Sequence, residues 1–514
     1  MGITQNIDAL DGADPFDICI IGSGFAGTTL GVSLVADGVR TLLLESGGSL
    51  ARWLLDERVK GLAAYEVSRE TNYPTKRTKA RALGGNSNFW TGRCERFHPS
   101  DFVTHAYTPE NNPWPISYAD IEPYYESAEK LLRVRGNALS QYAPPRRGGF
   151  PVPSRSHISP LQARLAKVGV RVDESPTATP QKALRFFRVQ NELLPRFLAS
   201  PYATLVSGAT ATRLHAGGDG RIMGVEVRTL DGTRKVARAR AYVIACGGLE
   251  TPRLLLLSRS EGFASGIGNA HDRVGRGFNE HPGVNFYAKL RRSRDTITPR
   301  HRIGRSHQFY DQFRREGLGS VLPVFIQSWV FPNHLIYPRF SDLPGYVSAL
   351  LGRAIQPTLY IGATIEMLPR DDNRVTLSKH AKDRFGNPLA HLSLSLSEED
   401  RGTLERARDL IRKIYDSLGA AHIQEAELTW SRHHIGACRM GEDPTTSVCD
   451  PHLRVHACPN LYLCGSETFV TGGAIPPALT ITALALRLSE HLKRRLQEAG
   501  DSTPNDSRRP HPKV

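Results

Sequence analysis

The sequence predicts an α/β protein whose first domain is discontinuous in the chain and carries a second, α+β domain inserted into it. Three observations predict this. The chain opens on a strand, a glycine turn and a helix. A second buried strand of the same kind recurs at residues 241–245 and ends in Cys246-Gly247-Gly248. Between about residues 284 and 430 the pattern changes to strand runs and one long amphipathic helix, and then reverts.

The elements follow in order. Phe16-Asp17-Ile18-Cys19-Ile20-Ile21 is nearly continuous in apolar residues. That is the signature of a parallel strand covered on both faces. Gly22 supplies the turn, a helical stretch runs to about residue 37, and a second strand at 41–44 ends on Glu45. Together they form a β-α-β unit. Residues 81–92 are rich in Gly, Asn and Ser and read as a loop, and residues 115–132 as a helix with its entry. Clustered Pro, Arg and Ser at 144–160 mark a crossing between domains. The block 203–245 is strand-rich, and Asp231-Gly232 between alternating runs signals a hairpin. Residues 397–418 form the long amphipathic helix. The expected first domain takes residues 15–142, 200–283 and 431–498, and the second takes 143–199 and 284–430. The polar, Pro-rich tail 499–514 is expected to be disordered.

Composition excludes several classes. With 514 residues, 40% hydrophobic and 23% charged, the chain is an ordinary globular one with room for a large core. The net charge of +15 is spread out, and is densest at 290–316, with Arg291, Arg292, Arg294, Arg300, Arg302, Arg305, Arg314 and Arg315. No aromatic interleaving suggests base stacking there. The stretch is expected to be solvated surface, with no nucleic-acid partner, an acidic partner being the minor alternative. Seven cysteines are an odd number, which argues against a complete disulfide framework. The first fifteen residues carry no apolar run, and no stretch reaches the ~18 apolar residues that span a bilayer. A reducing, cytoplasmic setting with no transmembrane segment is the expectation.

The chemistry starts at Gly22-Ser23-Gly24-Phe25-Ala26-Gly27, a G-x-G-x-x-G between a strand and a helix. The glycines permit a tight turn and let a pyrophosphate approach the helix N-terminus. Glu45, ending the next strand, stands where a carboxylate binds ribose hydroxyls. This fingerprint alone fits either NAD or FAD, and a tight strand–helix turn without ligand is the bland alternative.

Further motifs narrow the choice. Leu83-Gly84-Gly85-Asn86-Ser87-Asn88-Phe89-Trp90-Thr91-Gly92 resembles the loop along the flavin in the glucose–methanol–choline (GMC) oxidoreductases. Cys246 to Leu255, Gly275 to Pro282, Glu366-Met367-Leu368-Pro369 with Asn373 to Ser378, and His433 to Gly441 with Ser447 to Asp450 and Asn460 to Leu463 are similar to that family's later motifs, in family order. The resemblance implies a discontinuous Rossmann-like FAD-binding domain with an inserted antiparallel-sheet substrate domain. It implies cofactor contacts from Gly22, Gly24, Gly27, Glu45, Gly85, Asn86, Ser87, Asn88, Ala211, Gly465, Ser466 and Pro477. Ala211 stands where the family's backbone holds the adenine. Members that tether the flavin covalently do so through a histidine where this chain has Phe89, so the FAD is expected to be non-covalent. Trp90 is expected either beside the flavin ring or in the core.

Alcohol oxidation removes a hydroxyl proton and a carbon-bound hydride. Histidine is the usual base. His433 stands at the first position of the family's H-x-x-G, and His434 is its rival, since neighbours on an extended segment face opposite ways. The family's second catalytic His or Asn falls on Pro476, which has no side-chain donor or acceptor. Either His433 works alone, or His434 or His281 helps, or the reaction is not ordinary alcohol oxidation. Pro477 is placed to start a helix whose N-terminus favours negative charge at the site. The loop and the spacing from 463 to 480 look closest to the pyranose-oxidase and C-glycoside-oxidase branch, which implies a sugar or glycoside hydroxyl as substrate and oxygen or an unknown redox partner as electron acceptor. The alternatives are a hydroxynitrile-lyase-like enzyme with purely structural FAD and, more weakly, an NAD-dependent dehydrogenase. His433, His434, Cys438, Cys449, His452, His456 and Cys458 cluster in sequence, but their spacing fits no zinc pattern, and no metal is expected. The apolar segment 323–335, with Trp329 and Phe331, is expected either to line the substrate pocket or to be core.

Overall fold

A computed structural model describes residues 7–12, 14–68, 73–75, 78–103, 113–154, 159–181, 187–289, 303–328 and 358–501. The tail expected to be disordered from residue 499 is helical to Asp501, and the rest of it, Trp329 and Phe331, and Arg291, Arg292, Arg294, Arg300 and Arg302 lie outside the described residues.

The opening β-α-β unit forms as expected: β1 (Phe16–Ile21), α1 (Phe25–Ala36) and β2 (Thr41–Glu45). With β3 (Ala203–Ser207), β4 (Ala239–Ile244) and β5 (Leu461–Leu463) they build a five-stranded parallel sheet in the order β5-β4-β1-β2-β3. The register sets Ile18 against Ala241 and Thr41, and Ile21 against Ile244 and Leu44. Ile18, Cys19, Ile20, Leu42 and Leu43 are completely buried, which explains why these strands read as unbroken apolar runs. Each such side chain contributes roughly 1.5–3 kcal/mol on burial. β1 lies where the sheet's strand order turns, so Gly22 at its carboxyl end opens on the crevice where such sheets bind ligands.

Four further helices position the site. Helix α2 (Tyr118–Leu131) starts with a Ser117–Asp120 capping box, and α3 (Gly247–Leu257) leaves the end of β4. Helix α4 (Glu398–Ser417) is the predicted amphipathic helix, capped reciprocally by Ser397 and Asp400. It buries Leu404, Ala407, Ile411, Ile414 and Tyr415 against an antiparallel sheet. Helix α5 (Ala478–Asp501) packs on α1, where Ser489 Oγ meets Ser33 Oγ at 2.9 Å. Pro477 is not inside the first turn, as the sequence suggested. Its carbonyl accepts from Ile481 N at 2.9 Å, so it caps α5.

The antiparallel sheet holds, in order, Ala421–Glu425, Pro282–Lys289, Thr358–Ile365, Val321–Ser328, Ile303–Arg305 and Asp173–Glu174, with Thr429–Trp430 also paired to Pro282–Lys289. A small sheet of Tyr65–Val67, Arg374–Lys382 and Pro388–Ser393 joins a strand from early in the chain to two from the late insertion. The hairpin at Asp231-Gly232 connects Ile222–Thr229 with Arg234–Ala237. No helix among the described residues is long and apolar enough to cross a membrane. All seven cysteines are free thiols.

The basic stretch is not all surface. Arg305 and Arg314 are 7% and 8% exposed and pair inside the protein with Glu95, Asp101 and Glu366. Buried guanidinium groups of this kind survive only with such partners.

Candidate active site

The phosphate-loop geometry follows from its glycines. Gly22 has φ +108°, and a Cβ there would strike the Ala245 carbonyl. A Cβ at Gly27 would overlap the Gly22 carbonyl, so only glycine lets α1 come this close to β1. At Gly24 a Cβ would meet nothing within 4 Å, and α1 begins there without a side-chain cap. Open space in front of uncapped helical N–H groups fits the pyrophosphate of a dinucleotide. Glu45, 6% exposed, closes the loop: its carboxylate accepts from Ser23 N (3.1 Å), Ser23 Oγ (2.6 Å) and Gly47 N (2.8 Å). A carboxylate has about four acceptor positions, so room is left for ribose hydroxyls.

Ser23 also binds the second loop, since its Oγ accepts from Gly84 N at 3.2 Å. Gly85 lies against Gly24, where a Cβ would come within 3.3 Å of its Cα. Asn86 donates to Thr78 O (3.0 Å) and accepts from Ala80 N (2.8 Å). Ser87 Oγ accepts from Val189 N at 3.1 Å. Asn88 donates to Leu83 O and Gly85 O at 3.0 and 2.8 Å, and its buried Oδ1 has no partner. Trp90 packs on Phe25 with ring centroids 4.6 Å apart, and its buried Nε1 also lacks a partner. These two orphaned polar atoms beside the phosphate loop suit a ligand with its own donors and acceptors. Phe89 is half-exposed, its ring near Trp53. Ala211 lies on the strand Ala209–Ala216 opposite Val227, next to the end of β2 through the Thr210–Ser46 hydroxyl contact at 2.7 Å.

The base candidates sit on a strained segment. Arg432, Gly436 and Ala437 have φ of 63°, 73° and 75°, so the backbone is left-handed on both sides of the histidine pair. This segment runs antiparallel to 279–281: Asn279 and Ile435 exchange both backbone hydrogen bonds, at 2.9 and 3.0 Å. Ser466 Oγ donates to the His434 carbonyl at 2.7 Å, and Gly436 N donates to the Ser466 carbonyl at 2.9 Å. Gly465 precedes it in extended backbone, where a Cβ would strike the Glu467 carboxylate.

The two histidines face opposite ways. His434 is buried, and its Nε2 meets Tyr73 OH at 3.0 Å. His433 keeps accessible surface, and its Nδ1 is 2.8 Å from Nδ1 of His281. Nε2 of His433 has no hydrogen-bond partner among the described residues. Burial is the first cause that lowers the pKa of all three rings, to about 4 for His281, about 3 for His434 and well below the ordinary range for His433. The Arg305 charge lowers His433 and His281 further, while Glu366 raises His281. Glu280, fully buried, accepts from the His433 backbone N–H, and burial raises its pKa well above the usual range. The sequence offered His281 as one possible helper of His433, and the contact between their Nδ1 atoms is what the structure adds. Of the other histidines in the apparent sequence cluster, His456 turns to Ser447 and His452 stacks on His491.

Pro476 is buried in the segment 471–480, which has no exposed residue. That segment is bolted down from several sides. Thr471 Oγ1 accepts from Trp114 Nε1 (2.9 Å), Gly473 N donates to Glu366 Oε1 (3.2 Å), and Ala474 N donates to Tyr310 OH (3.0 Å). Glu366 also accepts from Arg314 and from Ser320 N and Oγ. Tyr310 OH donates to Asp101, whose pKa burial raises to about 6.

Comparison with known proteins finds similarity along most of the chain. Profiles described as GMC oxidoreductase match residues 177–283 and 369–485. The fructose dehydrogenase large subunit of Gluconobacter japonicus is 24% identical, over 94% of this chain and 98% of its own. The 6'''-hydroxyparomomycin C oxidase of Streptomyces lividus is 28% identical, over 95% of this chain and 94% of its own. Among solved structures, pyridoxine 4-oxidase from Mesorbium loti superposes with a TM-score of 0.65 at 19% identity, over 93% of this chain and 99% of its own.

Proposed function

The chain belongs to the GMC oxidoreductase family, and from that premise we propose that it oxidises a CH–OH group of a sugar, glycoside or similar polyol, with His433 as the base. The cofactor is FAD, which, when bound, supplies the hydride acceptor. Gly22, Gly24 and Gly27 with the α1 N-terminus would hold its pyrophosphate, Glu45 its ribose, and the 84–90 loop and Ser466 segment the rest.

The observation that carries the reading is the bare Nε2 of His433, on a ring whose other nitrogen is already engaged. A substrate hydroxyl donates to that Nε2. As the carbinol C–H bond breaks with its electron pair, the O–H proton passes to His433, and the carbon–oxygen bond becomes a carbonyl. Burial keeps the ring neutral and ready to accept. The sugar-type substrate is supported by two relatives, a fructose dehydrogenase large subunit and a C-glycoside 3-oxidase of Microbacterium trichothecenolyticum. A panel of sugars and simple alcohols with an artificial electron acceptor, run with and without oxygen, tests substrate class and acceptor together. His433→Ala is expected to retain FAD and to lose about 100- to 10,000-fold in anaerobic flavin bleaching. A variant that keeps both FAD and full bleaching would overturn the base.

A further inference from the structure

The family places a second histidine or asparagine where this chain has Pro476, yet the base is not alone. We propose that His281 is the positioning residue of this site, and that the Gly472 carbonyl acting through it fixes His433 as the tautomer with a bare Nε2. The inference rests on the reading of His433 as the base and names what orients it.

Donors and acceptors decide the order of the chain. Nε2 of His281 is 3.3 Å from the Gly472 carbonyl oxygen, which can only accept. A neutral His281 therefore carries its hydrogen on Nε2, and its Nδ1 holds a lone pair. That Nδ1 faces Nδ1 of His433 at 2.8 Å, so His433 donates there. Nε2 of His433 is left unprotonated, on the side without a partner among the described residues. The reverse order would set two lone pairs, or two N–H groups, against each other. After the hydroxyl proton arrives, the His433 imidazolium keeps the same Nδ1–H···Nδ1 bond, so the acceptor on His281 stabilises the charge that forms.

The carbonyl at the end of this chain is not free to turn. A Cβ at Gly472 would come to 3.0 Å from both His281 Nε2 and Asn279 Oδ1, so a larger residue would push against the ring it orients. On one side Thr471 is held by Trp114, and on the other Gly473 N and Ala474 N are held by Glu366 and Tyr310. Glu366 is itself fixed by Arg314 and Ser320. His281 is completely buried. Among the described residues, the charged and titratable groups facing the two rings are His433 and His281 themselves, His434, Arg305, Glu366 and Glu280. The buried ion-pair set thus fixes, through backbone, the carbonyl that orders the two rings.

Two variants and one spectrum test this in the FAD-loaded enzyme. In ¹⁵N-histidine-labelled wild type, two-bond proton–nitrogen correlation is expected to show His433, identified by its loss in His433→Ala, with hydrogen on Nδ1 and none on Nε2. His281→Leu is expected to lose that tautomer preference, and His281→Asn, whose Oδ1 still accepts, to keep it. In anaerobic bleaching with whichever of D-fructose, D-glucose and benzyl alcohol reduces wild type fastest, His281→Leu should slow the step about 100-fold at unchanged KM. His281→Asn should recover most of it. Hydrogen on Nε2 of wild-type His433, or equal loss in both variants, would overturn the proposal. Failure of all three alcohols to bleach the wild type would instead sink the alcohol reading, while the spectrum still decides the tautomer.

Discussion

For His433, which ring nitrogen carries hydrogen matters as much as the ring's position. Both rings of the pair have lowered pKa values, with burial the largest cause, so the neutral, base-competent form persists below the usual histidine range. A base works unprotonated, so activity is lost as pH falls through the folded pKa. The acid limb of kcat/KM is therefore expected below pH 6.5, and a pH–rate profile with its limb at 6.5 or higher would contradict the assignment. Glu366 raises the pKa of His281 by its charge. Removing that charge in Glu366→Gln should lower the pKa of His281 further, which a pH titration of its ¹⁵N-histidine signals checks, a shift that loss of packing alone would not produce. Asp101 and Glu366 share one guanidinium, that of Arg314, and burial raises the pKa of Asp101.

At the scale of elements, the glycines of the first turn carry the sharpest expectation. Gly27→Ala forces α1 away from β1, an overpacking that costs roughly 1–3 kcal/mol. The variant should show a lower melting temperature and a reduced flavin-to-protein absorbance ratio. A normal ratio would mean that the close approach is not needed for the cofactor. This turn was legible in the sequence because everything it needs is local: strand, glycine spacing, helix and Glu45 lie within one β-α-β unit. The amphipathic helix ending near residue 418 was legible for the same reason, as its cap and periodicity are written in consecutive residues. The His281–His433 contact was not, since 152 residues separate the pair and only the ladder between 279–281 and 431–435 brings them together. Arg305 and Arg314 were misread as surface because charge counting does not see partners. Their carboxylates come from residues 95, 101 and 366, on other parts of the chain. Pro476 was legible as a departure, but the backbone device around it was not, because backbone hydrogen bonds leave no trace in residue type.

For the whole molecule, cofactor and stability are linked. A ligand that binds only the native state at a hundredfold excess over its Kd adds about 2.7 kcal/mol. Stripping FAD should lower the melting temperature, and adding it back should restore it; an unchanged melting temperature would mean that the cradle binds FAD only weakly. Acid precipitation should leave the yellow colour in the supernatant, because Phe89 offers no nucleophile for a covalent link, and a coloured pellet would show otherwise. The order β5-β4-β1-β2-β3 has one more consequence, for the chain as it is made. Four strands of the parallel sheet are complete once β4 leaves the ribosome, but β5 follows only roughly 220 residues later, about 10–40 s at ordinary synthesis rates. Through that interval β4 is an unpaired edge, the closing helix is not yet made, and His433 appears only near its end. The enzyme is born with its dinucleotide turn already shaped and its chemistry withheld until the last strand docks.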